Sequence, residues 1–133
     1  MRTDCTSFSD PPQKLKGRIL IVDDEVPICQ LLSQMLAYFG YDVSIANNGN
    51  DGLRRAVSGN YDIVITDLKM PGLDGMELAF RVKALFPERP VILMTGSDRE
   101  AFVGRAPTCP FDHTLFKPFL LDDLRNALRS LSP

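Results

Sequence analysis

The chain has 133 residues, 44% of them hydrophobic, and a formal net charge of −2. That suits one ordinary domain able to bury its own core, and the charge balance gives no electrostatic footprint for nucleic acid or an anionic membrane. Cys5, Cys29 and Cys109 form neither a zinc pattern nor a disulfide framework, no apolar run is long enough to span a bilayer, and Met1 to Asp4 open without a signal-peptide core, so a soluble protein of the reducing cytoplasm is expected.

Residues 1–16, rich in Ser, Thr, Asp, Pro and Lys, read as a flexible leader, and residues 17–133 as the folded domain. Arg18 to Val22 is a short apolar strand closing in Asp23-Asp24-Glu25. Pro27 stands in the first turn of a helix whose stripe is Ile28, Leu31, Leu32, Met35, Leu36 and Phe39, with Gly40 placed to end it in the left-handed conformation. Tyr41 to Ala46 alternates as a second strand, Asn47-Asn48-Gly49 reads as a turn, and Gly52 to Ser58 is a modest helix carrying Leu53, Ala56 and Val57. Ile63 to Ile65 is a strand buried on both faces, ending in Thr66-Asp67 before a loop forced by Pro71 and Gly72.

Asp74 and Glu77 have capping-box spacing and start a helix with Leu78, Val82 and Leu85 inward. Val91 to Met94 form a fourth strand closing in Thr95. Ser97 and Glu100 start a weak helix that Gly104 and Pro107 interrupt. Asp112 to Phe116 is a fifth strand, broken by Lys117-Pro118, and Leu120, Leu124, Ala127, Leu128 and Leu131 stripe a last helix. Strands alternate with helices, and right-handed crossovers then require a parallel sheet covered on both faces. The expected fold is α/β, a doubly wound, flavodoxin-like sheet of five parallel strands in order 2-1-3-4-5 flanked by five helices.

In that order the carboxylates of Asp23, Asp24 and Asp67 gather at one edge of the sheet, on neighbouring strands about 4.8 Å apart. Thr95 ends the strand on the other side of Asp67, and Lys117 is long enough to reach back from the strand beyond. Three carboxylates so close raise one another's pKa, and a hard divalent cation relieves the repulsion. Two carboxylates, a backbone carbonyl and waters suit Mg²⁺. Lys117 supplies a cation from the other side, Thr95 a hydroxyl donor, and Gly96 room for close approach. That set clamps a transferring phosphoryl group and leaves Asp67 to attack it as nucleophile. The Lys69 side chain reads as a solvated loop charge, His113 as an ordinary strand histidine, and the cysteines as inert.

Four segments carry a family resemblance: Ile21-Val22-Asp23-Asp24-Glu25, Thr66-Asp67-Leu68-Lys69-Met70-Pro71-Gly72-Leu73-Asp74-Gly75, Met94-Thr95-Gly96 and Leu115-Phe116-Lys117-Pro118-Phe119. From about Arg18 to Leu131 the chain resembles the receiver domain of two-component response regulators, the CheY-like superfamily. The resemblance implies that Asp67 accepts a phosphoryl group from the phosphohistidine of a sensor histidine kinase or histidine phosphotransfer protein. It implies that Asp24, Asp67 and the Lys69 carbonyl ligate Mg²⁺, with Asp23 acting through water. It implies a cis peptide before Pro118, catalysis only of the protein's own phosphorylation and dephosphorylation, an unnamed downstream protein partner, and room for a phosphorylation-dependent dimer. Direct nucleic-acid or membrane binding is not expected of this chain.

Two departures stand out: Thr114 occupies the place of the usual switch aromatic, and Pro110-Phe111 replaces a small Gly-Ala pair. Thr114 is expected beside Thr95, where a shift of this face would signal. A receiver that works as an interaction module without phosphorylation is the alternative function. An Asp-nucleophile phosphatase would carry a second Asp where Lys69 stands, and a flavin-binding domain would need Ser, Thr or Gly after the first strand. The chain is either a single-domain regulator or a piece of a larger protein.

Overall fold

Continuous apolar strands form where a sheet is covered on both faces, and β1 (Gly17–Val22), β3 (Ile63–Asp67) and β4 (Val91–Thr95) have that character. The computed structural model describes residues 16–96 and 110–131. With β2 (Tyr41–Ala46) and β5 (His113–Phe116) these strands build one parallel sheet in the order β2-β1-β3-β4-β5, as expected. Four helices lie among the described residues: α1 (Val26–Tyr38), α2 (Gly49–Ser58), α3 (Gly75–Leu85) and α4 (Leu121–Ser130). The weak helix expected from Ser97 falls outside them, as do residues 1–15. Lys16, the last residue of the expected leader, donates its backbone N–H to Gly40 O at 2.9 Å.

Side chains alternate across each strand, so the apolar runs divide between two cores. Ile19, Ile21, Ile65, Ile92, Met94 and Leu115 pack under α1 and α4, through Cys29, Leu32, Leu36, Leu124 and Ala127. Leu20, Val22, Val64 and Val91 face the other way, against Ala56 of α2 and Leu78, Ala79 and Val82 of α3. The expected inward stripes need correcting at their edges. Leu31 is 48% exposed because it lies roughly 100–160° around α1 from Leu32, Leu36 and Cys29, and Cys29 takes the buried place. Val57 lies at the edge of α2 and is exposed. Leu85 ends α3, where Phe86 packs on the core instead; Leu120 precedes α4, and Phe119 packs in its stead.

Helix ends follow from single residues. Gly40 adopts φ +96°, the positive region that ends α1. Asn48 accepts the N–H of Asp51 at 2.7 Å and starts α2, and Asp74 accepts that of Glu77 at 2.9 Å and starts α3. Removing the second cap by Asp74→Ala is expected to lower stability by about 1 kcal/mol, read as a lower urea midpoint at unchanged slope. At the far edge, Asp112 accepts the N–H of Val91 at 2.8 Å and the Lys83 ammonium at 2.7 Å, which seats the start of β5. Thr114 pairs with Leu93, and Thr95 with Phe116. The expectation that Thr114 lies beside Thr95 is therefore corrected: β4 and β5 end level, and Thr114 stands two residues back.

Candidate functional site

Parallel strands that end level leave their next residues at one rim, and here those residues carry the charges. Asp23 follows β1, Asp67 ends β3, Thr95 ends β4 and Lys117 follows β5. Lys117 is tied to its neighbour strand by its N–H, which donates to Thr95 O at 2.8 Å, and its peptide bond to Pro118 is cis. Its ammonium Nζ lies 3.4 Å from Asp23 Oδ2, 3.0 Å from Glu25 Oε1 and 3.5 Å from Asp67 Oδ1. A cavity of about 400 Å³ opens over this cluster, lined by Asp24, Glu25, Asp67, Lys69, Thr95 and Lys117. The sequence-singled residues Asp24, Asp67, Lys69, Thr95 and Lys117 thus share one cavity, and the buried Asp23 brings a carboxylate oxygen within 4.8 Å of those of Glu25 and Asp67.

The electrostatics are those of crowded acids. Burial pushes the Asp67 carboxyl above its usual range, the charge of Asp23 adds to the push, and Lys117 opposes it. Burial likewise raises Asp23, against the pull of the Glu25 N–H, which donates to Asp23 Oδ1 at 3.0 Å, and of Lys117. For Lys117 burial alone favours the neutral amine, but the bond to Glu25 and the charges of Asp23 and Asp67 outweigh it and hold the ammonium above its ordinary pKa. Burial and the nearby Asp23 push the Cys29 thiol up to about 11, so it stays protonated at neutral pH and inert as a nucleophile.

Carboxylate oxygens of Asp23, Glu25 and Asp67 all lie within 4.8 Å of one another. Three carboxylates facing one ammonium, two of them with raised pKa, form a donor set that fits a hard divalent cation such as Mg²⁺. The converging trio contains Glu25, which the sequence reading did not single out; Asp24 lines the cavity beside it. The signal was present in the unbroken run Asp23-Asp24-Glu25, but which of three consecutive acids turns inward depends on the backbone. Glu25 caps α1 with φ −94° and ψ 101°, and that extended geometry returns its side chain toward Lys117. A second cavity, at the opposite end of the sheet, carries Lys16, Arg125 and Arg129. Its arginines sit by the C-terminal ends of α1 and α4, where cations complement the helix dipole.

Comparison with known proteins gives a consistent picture. The sequence model of the response regulator receiver domain matches residues 19–129. The transcriptional regulatory protein YkoG of Bacillus subtilis is 36% identical over 115 residues, which is 86% of this chain and 50% of that protein. ZraR of Escherichia coli, also a transcriptional regulatory protein, is 36% identical over 111 residues, 83% of this chain and 25% of its own length. The chain therefore spans half or less of these relatives. Among solved structures, a response regulator receiver domain protein from Clostridium thermocellum superposes with a TM-score of 0.80 at 32% identity, covering 86% of this chain and 93% of that one. TrrA of Thermotoga maritima, solved in complex with Mg²⁺ and beryllium fluoride, gives a TM-score of 0.78 at 34% identity, covering 86% of this chain and 98% of that one.

Proposed function

The chain belongs to the response regulator receiver domain family, and we propose that Asp67 is its phosphoryl acceptor. The donor is the phosphohistidine of a sensor histidine kinase or histidine phosphotransfer protein, and the product is a phosphorylation-controlled switch read by a downstream protein in the cytoplasm. The observation that carries this reading is the convergence of Asp23, Glu25 and Asp67 with Lys117 over one cavity. That TrrA, a similar chain, holds Mg²⁺ and beryllium fluoride supports it.

In the reaction an Asp67 carboxylate oxygen attacks phosphorus. The bond between phosphorus and the donor imidazole nitrogen breaks, and its electron pair returns to the ring. The acyl phosphate so formed is the aspartyl phosphate. Lys117, 3.5 Å from Asp67 Oδ1, is placed to exchange its carboxylate partners for a phosphoryl oxygen. Thr95, on the same cavity wall, offers a hydroxyl to a second oxygen. Asp23, Asp24, Asp67 and the Lys69 carbonyl, with Glu25 beside them, would hold Mg²⁺. The ion supplies charge neutralisation for the equatorial phosphoryl oxygens.

Acetyl phosphate tests this without knowledge of the kinase. With Mg²⁺ it is expected to give a hydroxylamine-labile phosphoryl adduct mapping to the peptide containing Asp67, and none with a chelator present. Lys117→Ala should slow labelling by about a hundredfold. A folded protein that takes up no phosphoryl group under these conditions would leave the interaction-only reading in its place.

A further inference from the structure

A carbonyl at the end of a central strand loses its ladder partner when the chain turns away, and some other donor must satisfy it. The pairing of β1 with β2 ends at Val22 and Ala46, one residue before Asp23. The Asp23 N–H still reaches Ala46 O at 3.1 Å. Its carbonyl accepts instead from two side chains, Asn47 Nδ2 at 3.2 Å and the Cys29 thiol at 3.3 Å. Those donors come from different elements, the β2–α2 turn and the first turns of α1, and Asn47 Nδ2 lies 3.9 Å from Cys29 Sγ. None of these contacts enters the phosphoryl chemistry described above.

We propose that Asn47, seconded by Cys29, is a positioning residue for the acidic site: by holding the Asp23 carbonyl it fixes the β1–α1 turn and the direction of the Asp23 and Glu25 carboxylates. The proposal deepens the reading of this site as a divalent-cation and phosphoryl site and rests on it only for its metal arm. The side-chain types suit the task. An amide donates to a carbonyl while staying uncharged beside carboxylates. Aspartate would set acceptor against acceptor. A thiol is a weak donor that fills an apolar slot, and Cys29 is 1% exposed. The hold reaches the carboxylates through the main chain, because the Glu25 N–H donates to Asp23 Oδ1 at 3.0 Å and its geometry follows the turn.

The test compares the parent with Asn47→Ala and Asn47→Asp. Asn47 is exposed, so both variants are expected to fold, with a melting temperature at most a few degrees below the parent's. Hydrogen exchange of the Glu25 amide is measured in the metal-free proteins, and Mg²⁺ is titrated by NMR shift. Losing one net hydrogen bond should speed Glu25 exchange about fivefold and weaken Mg²⁺ binding by a similar factor in Asn47→Ala. Asn47→Asp should do the same, although its added charge alone would tighten Mg²⁺ binding. Unchanged Glu25 exchange in both variants overturns the proposal, as does a uniform acceleration across the whole sheet, which marks global destabilisation. Equal Mg²⁺ affinity in parent and Asn47→Ala overturns it too. A parent that binds no Mg²⁺ would instead remove the reading of the site, and the exchange measurement then decides the positioning role alone.

Discussion

The Asp67→Asn variant should take up no phosphoryl group and yet, without metal at pH 7, melt at a higher temperature than the parent. The first half follows from chemistry, since an amide oxygen is too poor a nucleophile to form the acyl phosphate. The second half follows from linkage. Burial, and then the charge of Asp23, raise the pKa of Asp67 in the folded protein above its ordinary value of 3.8. The folded state thus binds this proton more tightly than the unfolded chain does, and stability falls as pH rises through the window between the two values. Below the ordinary value both states are protonated and the penalty vanishes; above the raised value it is complete. The amide of the variant has no such proton to lose, so its advantage should grow as pH rises through that window and disappear in acid. Lys117 keeps Asp23 and Glu25 as partners, so the substitution leaves no orphaned cation. A rise of about 4 °C would correspond to about 1 kcal/mol in a domain of this size. Mg²⁺, by binding only the folded state, should raise the melting temperature of the parent and much less that of the variant. Calorimetric melts at pH 7 and in acid, with and without Mg²⁺, check all of these; a variant that melts below the parent at pH 7 would show that Asp67 is stabilised, not strained, by its surroundings.

The same crowding explains how much of the site is legible in the sequence. Asp67, Asp23 and Lys117 each sit at the end of a strand, and strand ends in a doubly wound sheet must share a rim. The alternation of runs such as Ile63–Val64–Ile65 with helical stripes calls for a parallel sheet, and the doubly wound order that suits it makes β1 and β3 neighbours, so the gathering of those charges is legible. What was not legible depends on angles finer than periodicity. Leu31 fits a helical stripe by spacing but misses the buried sector that Cys29 and Leu36 define. Strand membership alone sets Thr114 beside Thr95, while its true partner, Leu93, depends on register to the residue. Glu25 enters the site because of its own cap dihedrals, and Asn47 meets the Asp23 carbonyl because β1 and β2 stop pairing one residue short of it. Side-chain bonds to an unpaired carbonyl leave no pattern in a sequence.

Gly75 belongs to that second class, and Gly75→Ala should be among the most damaging single substitutions in the described residues. At the first turn of a helix, alanine in place of glycine would ordinarily stabilise by up to about 1 kcal/mol. Here a Cβ would lie 2.0 Å from Asp67 O and 3.0 Å from Asp67 C and Leu68 Cα, all main-chain atoms that no rotamer change can move. The contact is so close because the Gly75 N–H donates to Leu68 O at 2.8 Å, docking the start of α3 onto the loop that follows Asp67. To admit a methyl group α3 must withdraw, breaking that bond and loosening Leu78 and Val82 from the core, or the Asp67 peptide must turn. Overpacking against rigid neighbours costs about 3 kcal/mol, which exceeds the helix-propensity gain. Gly96→Ala is the matched control, since among the described residues its Cβ would meet only the Lys117 side chain at 3.6 Å, an ordinary contact. Urea unfolding should therefore place Gly96→Ala near the parent and Gly75→Ala far below it. In the folded fraction of Gly75→Ala, beryllium fluoride with Mg²⁺ should bind weakly, because the shifted peptide carries the Asp67 carboxylate with it. Parent-like urea stability in Gly75→Ala would mean that α3 does not press on the loop after Asp67, and the coupling between that helix and the site would have to be abandoned.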